Sequence, residues 1–232
     1  MGYFSESLSA AFDLIFQLDQ EVWLIVMTSL KVSLLAAFFA GLMAIPLGIT
    51  IALNEFRGKP FLQQILNTLM AMPTVVIGLL LYGLLTRQGP LGDLGLLYTP
   101  AAVVIAECIL ILPIILNLTI AAVQSSDERL VPTLKSLGAN KLQLATQVIS
   151  ETRLAVLAAV VTGFGRAIGE VGAAMMLGGN IEGFTRTMTT AIALETSKGE
   201  FELGLALGLL LLTIAFIVNL GLQLLSKQGR SQ

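Results

Sequence analysis

The chain has 232 residues, 56% of them hydrophobic and only 12% charged, and its mean hydropathy of +0.88 departs far from the make-up of a water-soluble domain. A net charge of −2 argues against nucleic acid as a main partner, because a phosphate backbone is met by surplus Lys and Arg. With no histidine and a single cysteine, Cys108, an internal disulfide, His-based acid–base catalysis and His-ligated metal sites are excluded.

The first predicted element, residues 1–21, spaces Leu8, Ala11, Phe12 and Ile15 along one helical face, with Asp13, Asp19 and Glu21 close behind and no basic region in front. It reads as an amphipathic helix lying on a membrane surface, neither a signal peptide nor a span. Residues 22–232 hold the spans. A crossing takes about 20 mostly apolar residues, and the charge-free intervals from Lys31 to Glu55, Lys59 to Arg87 and Glu202 to Lys227 each accommodate one. Two more apolar stretches carry intramembrane charge: Tyr98 to Val123, interrupted by Glu107, and Leu154 to Leu177, interrupted by Arg166 and Glu170. The expectation is an all-α integral membrane protein of about five transmembrane helices plus the N-terminal amphipathic helix. Pro46, Pro73 and Pro113 fall within three different spans, where each removes a backbone hydrogen bond and kinks its helix.

Two loops are longer than a connection requires. The loop 124–153 repeats Leu134, Leu137, Leu142, Ala145 and Ile149 at helical spacing around Gly138, a partly amphipathic hairpin suited to docking. The loop from Ile181 to Glu202 carries Thr185, Thr187, Thr189 and Thr190 before Ala191-Ile192-Ala193-Leu194, which suits a short helix dipping back into the membrane. Cytoplasmic loops retain Lys and Arg. With the N terminus outside, Arg57, Lys59, Arg129, Lys135, Lys141, Arg153, Lys227 and Arg230 fall inside against Arg87, Arg186 and Lys198 outside, and Trp23, Tyr82 and Tyr98 lie near the outer interface. The C terminus is then cytoplasmic.

Gly163, Gly165 and Gly169 imitate a dinucleotide fingerprint, but inside an apolar helix with no preceding strand, so the cofactor reading fails. Glycines spaced like Gly165 and Gly169 instead let membrane helices approach closely. No G-x-x-x-x-G-K-[ST] occurs, so any ATP-driven work falls to another subunit. An ionisable group inside a bilayer is expensive and faces the bundle interior or a pathway. Arg166 and Glu170, four apart, pair with each other, either to fix packing or to line a pathway. Glu107 is protonated or paired with Lys31 or Arg166, and a proton relay is its alternative role.

Leu137-Gly138-Ala139, followed by Gly163-Phe164-Gly165-Arg166-Ala167-Ile168-Gly169-Glu170-Val171-Gly172-Ala173, resembles the permease subunits of ABC importers for oxyanions, and the likeness runs from the first span to the last. Met72-Pro73-Thr74-Val75-Val76-Ile77-Gly78-Leu79, Gly89-Pro90-Leu91-Gly92, Gly178-Gly179-Asn180-Ile181 and the run from Thr185 to Gly199 look like the tungstate-type members more than the molybdate type. Where that family's cytoplasmic loop begins Glu-Ala-Ala, this chain reads Pro132-Thr133-Leu134, and the family's later proline is replaced by Glu151. Lys135, or Asp127 with Glu128, would then take over the family glutamate's polar contact.

The resemblance implies a type I importer permease fold, a homodimer, two ABC ATPase subunits and an extracytoplasmic oxyanion-binding protein in the cell's inner membrane. Nucleic acid is not among the partners. The chain itself would bind no cofactor or metal; ATP and Mg would be used by the ATPase. The docking loop would present Pro132, Thr133, Leu134, Lys135, Leu137, Gly138, Ala139 and Asn140 to the ATPase. Arg166, Glu170, Glu107 and the hydroxyls of Thr185, Thr187, Thr189 and Thr190 are the candidates for pathway lining or packing. A molybdate or sulfate permease is the near alternative. A proton-coupled secondary transporter would instead use Glu107 and Glu170, but no inverted repeat supports it. A membrane enzyme lacks an assembled nucleophile and base.

Overall fold

The computed structural model describes residues 3–17, 19–127 and 129–229; Glu128 and Arg230, named above, lie outside them. In chain order the helices are α1 (Tyr3–Phe16), α2 (Gln20–Leu53), α3 (Lys59–Met70), α4 (Thr74–Leu85), α5 (Pro100–Gln124), α6 (Leu130–Ser136), α7 (Lys141–Ile168), α8 (Gly172–Gly178), α9 (Met188–Lys198) and α10 (Phe201–Gly229), with a short 3-10 turn at Gly92–Leu94. Among the described residues there is no strand. Helices α2, α5, α7 and α10 are each long and apolar enough to cross a membrane, and α3 with α4 make a fifth crossing if the bent pair is one span.

The core holds large aliphatic side chains such as Ile111, Ile115, Ile120, Leu177 and Leu207, and one stretch of α2 relies on small residues instead. Between Ala36 and Gly48 the buried face of α2 is small, with Ala36, Ala37, Ala40, Gly41, Ala44 and Gly48, while Leu34, Phe38, Phe39 and Leu42 point outward. In lipid, burying large apolar side chains brings no hydrophobic gain, so close approach of small residues supplies the packing. Helix α5 occupies the centre and touches α2, α3, α4, α7 and α8. A Cβ on Gly163 of α7 would sit 2.7 Å from the Ile115 side chain of α5, so an added methyl there would cost about 1–3 kcal/mol by overpacking. The expected contact glycine, Gly165, has nothing within 4 Å of where its Cβ would be. Gly163, two residues earlier, makes the close approach because the buried arc of α7 runs through Val156, Ala159 and Gly163.

Several boundaries differ from the sequence expectation. Helix α2 begins at Gln20, capped by the Asp19 carboxylate, which accepts from the Glu21 and Val22 amides at 2.9 and 3.1 Å, so the first span starts ahead of Lys31 and absorbs the end of the 1–21 segment. The second span is two helices meeting at 94°, because Pro73 has no N–H to continue α3 and instead caps α4 in an extended conformation. Pro46 and Pro113, by contrast, sit inside helices that continue past them. The fourth span ends early: α7 stops at Ile168, Gly169 to Val171 break it, and α8 resumes at Gly172. Its other end is longer than expected, since α7 starts at Lys141 and carries the second arm of the 124–153 loop straight into the span. Helix α1 does more than lie on a surface: it packs against α10, burying Ser7 and Ala11 while Phe12 and Phe16 stay exposed.

Candidate functional site

The α6–α7 hairpin is built by local rules. Leu137 ends α6, and Gly138 takes φ +77°, a left-handed turn that a Cβ disfavours. The Gly138 and Ala139 amides donate to the Lys135 and Leu134 carbonyls, both at 3.0 Å. Asn140 then caps α7, its side chain accepting from the Gln143 amide while the Gln143 side chain accepts from the Asn140 amide, each at 2.9 Å. Outward, the turn presents Leu137 at 78% exposure and Leu142 at 73%, with Pro132, Thr133 and Lys135 also exposed and Leu134 and Ala139 half-buried. Asp127 spends a carboxylate oxygen on the Arg129 amide at 2.8 Å, so it caps the approach to α6.

The second assembly surrounds the break between α7 and α8. Glu170 is 3% exposed and ties three helices together. One carboxylate oxygen accepts from Arg166 at 2.9 Å, and the other accepts from the Ala173 amide at 3.1 Å, closing the start of α8. Its backbone carbonyl accepts from the Thr189 hydroxyl of α9 at 2.6 Å. Thr187 and Thr190 form a reciprocal capping box at the head of α9. The Met188 amide donates to the Ser29 hydroxyl of α2 at 2.6 Å. Thr185 donates to the Gly178 carbonyl at 2.6 Å and accepts from the Ile181 amide at 2.9 Å.

All four threonines are buried with their hydroxyls committed inside the chain, so in this conformation they pack the fold and do not offer donors to a path. Arg166 is the partly open member of the cluster, with 41% of its side chain exposed. Glu107 lies buried on α5 beside Ser33, its hydrogen-bond partner. Its second oxygen has no hydrogen-bond partner among the described residues. Neither Lys31 nor Arg166 pairs with Glu107: Arg166 is taken by Glu170, and Lys31 points outward from α2.

Sequence reasoning missed Ser29, Ser33, Arg186 and Glu195. Arg186 is buried and reaches Glu21 at 3.2 Å and Glu182 at 3.6 Å, which fastens α2 to the segment before α9. Glu195 is buried and accepts from Lys198 at 2.8 Å. That hydrogen bond holds the Lys198 ammonium above its ordinary pKa. Its stabilisation is therefore complete below the ordinary lysine value and is lost as pH rises through the elevated one. The Tyr82 and Tyr98 hydroxyls lie 3.4 Å apart.

Long apolar helices around a central one, a bent pair, a broken helix sealed by buried polar contacts and an exposed hairpin define the class: an all-helical, multi-pass membrane protein. Residues 44–230 match the family described as binding-protein-dependent transport system inner membrane component, and the chain belongs to this family, the permease subunits of ABC importers. It is 42% identical over 219 residues to the tungstate uptake system permease protein TupB of Peptoclostridium acidaminophilum, covering 94% of this chain and 96% of that one. It is 39% identical over 219 residues to the protein of the same description from Campylobacter jejuni, covering 94% and 92%. Among solved structures, an inward-facing form of the MetNI methionine ABC transporter aligns with a TM-score of 0.73 at 14% identity, covering 93% of this chain and 97% of the other. That likeness carries the fold. The chain is a multi-pass inner-membrane permease and not itself an enzyme.

Proposed function

We propose that this permease carries tungstate across the cytoplasmic membrane, as a homodimer served by two ABC ATPase subunits and an extracytoplasmic tungstate-binding protein. The observation that carries the cargo is the near full-length similarity to two permeases of tungstate uptake systems. In this reading the hairpin at Leu137-Gly138-Ala139 is the seat for the ATPase, which holds the ATP and Mg. The uncovered Leu137 and Leu142 support it, since exposed apolar side chains at a tight, pre-formed turn gain from burial in a partner cleft. The N terminus lies outside and the C terminus inside, in keeping with the surplus of Lys and Arg on the hairpin side.

ATP-driven closure of the ATPases would push on α7, whose first turns form the hairpin and whose last turn holds Arg166. A single rigid helix thus links the docking turn to the polar junction at the break. The Arg166–Glu170 pair leaves little net charge there, which suits passage of a dianion better than tight capture, so selectivity resides mainly in the receptor.

Reconstitution of the whole importer in proteoliposomes tests this. Tungstate uptake should require ATP, the ATPase and the loaded receptor together. Uptake that persists without the ATPase and collapses with the proton gradient would remove the ABC mechanism. A receptor ranking that places molybdate or sulfate above tungstate would remove the cargo while leaving the mechanism.

A further inference from the structure

Helix α3 carries polar side chains where a membrane helix should have none. Gln64, Asn67 and Thr68 are exposed along one arc, and Phe61 and Ile65 are exposed along the neighbouring arc. The Asn117 amide nitrogen of α5 donates to the Asn67 oxygen at 2.8 Å and contacts the Met70 sulfur at 3.2 Å. That bond uses Asn67 as acceptor and leaves its own NH2 without an acceptor among the described residues. Thr68 spends its proton on the Gln64 carbonyl at 2.9 Å, so the free donors on this arc are the amides of Gln64 and Asn67.

An amphipathic helix of this kind could lie flat at the interface with its polar arc in water. The contacts of α3 oppose that. Its first residue, Lys59, bonds the Ala52 and Asn54 carbonyls at the end of α2, whereas its far end meets Asn117, which lies seven residues inside the end of α5, about 10 Å along the helix axis. The elbow beyond it shares an apolar groove with Leu112 and Pro113. Helix α3 therefore descends into the apolar layer with unpaired amides on its open side. Primary amides facing lipid would each cost several kcal/mol, so that arc faces water or protein.

We propose that the Gln64–Asn67 arc of α3, backed by Asn117, lines the oxyanion path in the half nearer the hairpin and contacts the dianion through neutral amide donors. The proposal rests on the oxyanion cargo inferred above. Between Lys59 and Met70 the helix carries no further charge, so it offers hydrogen bonds without the electrostatic trap of fixed cations or the repulsion of carboxylates. Phe61 and Ile65 then meet lipid.

The test uses the full importer in proteoliposomes. Asn67→Asp places a negative charge against the dianion and should lower tungstate uptake about tenfold or more, with receptor-stimulated ATP hydrolysis changed less than about twofold and Asn67→Gln close to the parent. A second readout uses Gln64→Cys, Asn67→Cys, Phe61→Cys and Ile65→Cys, each with Cys108→Ala, and a membrane-impermeant anionic thiol reagent applied from the hairpin side. The first two should react and be slowed by tungstate, and the last two should not. Normal uptake in Asn67→Asp, or equal reactivity at Phe61→Cys, overturns the lining. An arc that resists labelling in every nucleotide state is buried against a second copy, and this too overturns it. Protection by sulfate or molybdate but not by tungstate upholds the lining and overturns the cargo.

Discussion

The α6–α7 hairpin and the segment from Gly169 to Lys198 are both Gly-punctuated connections between membrane helices, and they differ in where their polar and apolar groups go. The hairpin satisfies its backbone locally and leaves Leu137 and Leu142 uncovered. The other segment turns inward: Glu170, Thr185, Thr187, Thr189 and Thr190 are buried, and their side chains are hydrogen-bonded to one another and to backbone groups of the same segment. The second connection spends its polar groups on itself, whereas the first leaves apolar groups uncovered on a hydrogen-bonded turn, as the proposed ATPase seat requires. In an aqueous loop a threonine cluster would read as a binding surface. In a bilayer the same hydroxyls are needed to close a broken helix, because no water is there to do it.

The largest stability effect is expected at the junction. Glu170→Ala removes the Arg166 contact, the cap on α8 and the packing around the Thr189 bond. Allowing for the half-exposed Arg166, it should cost about 2–3 kcal/mol. The measurement is the folded, monodisperse yield in detergent and the thermal midpoint. Unchanged yield with an altered oxyanion preference would move Glu170 from the scaffold into the path.

Thr187→Val sharpens the contrast at smaller cost. It keeps the shape but deletes the cap of α9, for about 1 kcal/mol, and should leave the ranking of tungstate against molybdate in uptake assays intact. A shift in that ranking at parent-like stability would mean that this hydroxyl meets the substrate in another conformation.

The charges and the patterning made much of this legible. Charge-free intervals located the crossings, and the pairing of Arg166 with Glu170 followed from their spacing. The breaks were not legible: the chain is apolar on both sides of Gly169, the amides Gln63, Gln64 and Asn67 before Pro73 mark a change of composition without marking a bend, and only the tertiary course decides whether a proline or glycine bends a helix or merely sits in it, as Pro46 does. The burial of the threonines was equally hidden, since a hydroxyl capping its own helix and one facing a substrate have the same sequence. Gln64, Asn67 and Asn117 did leave a signal. They are amides inside otherwise apolar spans, and a search limited to ionisable residues passes over them.

At the hairpin the expected order reverses, with little loss of stability and a large loss of coupling. A Cβ at Gly138 would meet no atom within 4 Å, so the backbone cost of Gly138→Trp is that of the left-handed conformation, about 1–2 kcal/mol. Leu137→Ser removes an already exposed side chain and should change stability by no more than about 0.5 kcal/mol, the usual surface range. Both should insert and purify like the parent while receptor-stimulated ATP hydrolysis falls, steeply for the tryptophan, which blocks the cleft, and severalfold for the serine, which removes one apolar anchor. Co-purification of the ATPase with each variant separates lost docking from lost signal. Parent-level coupling in Gly138→Trp would place the ATPase contact elsewhere on the chain and make the exposed leucines of the hairpin as incidental as those facing lipid on α2.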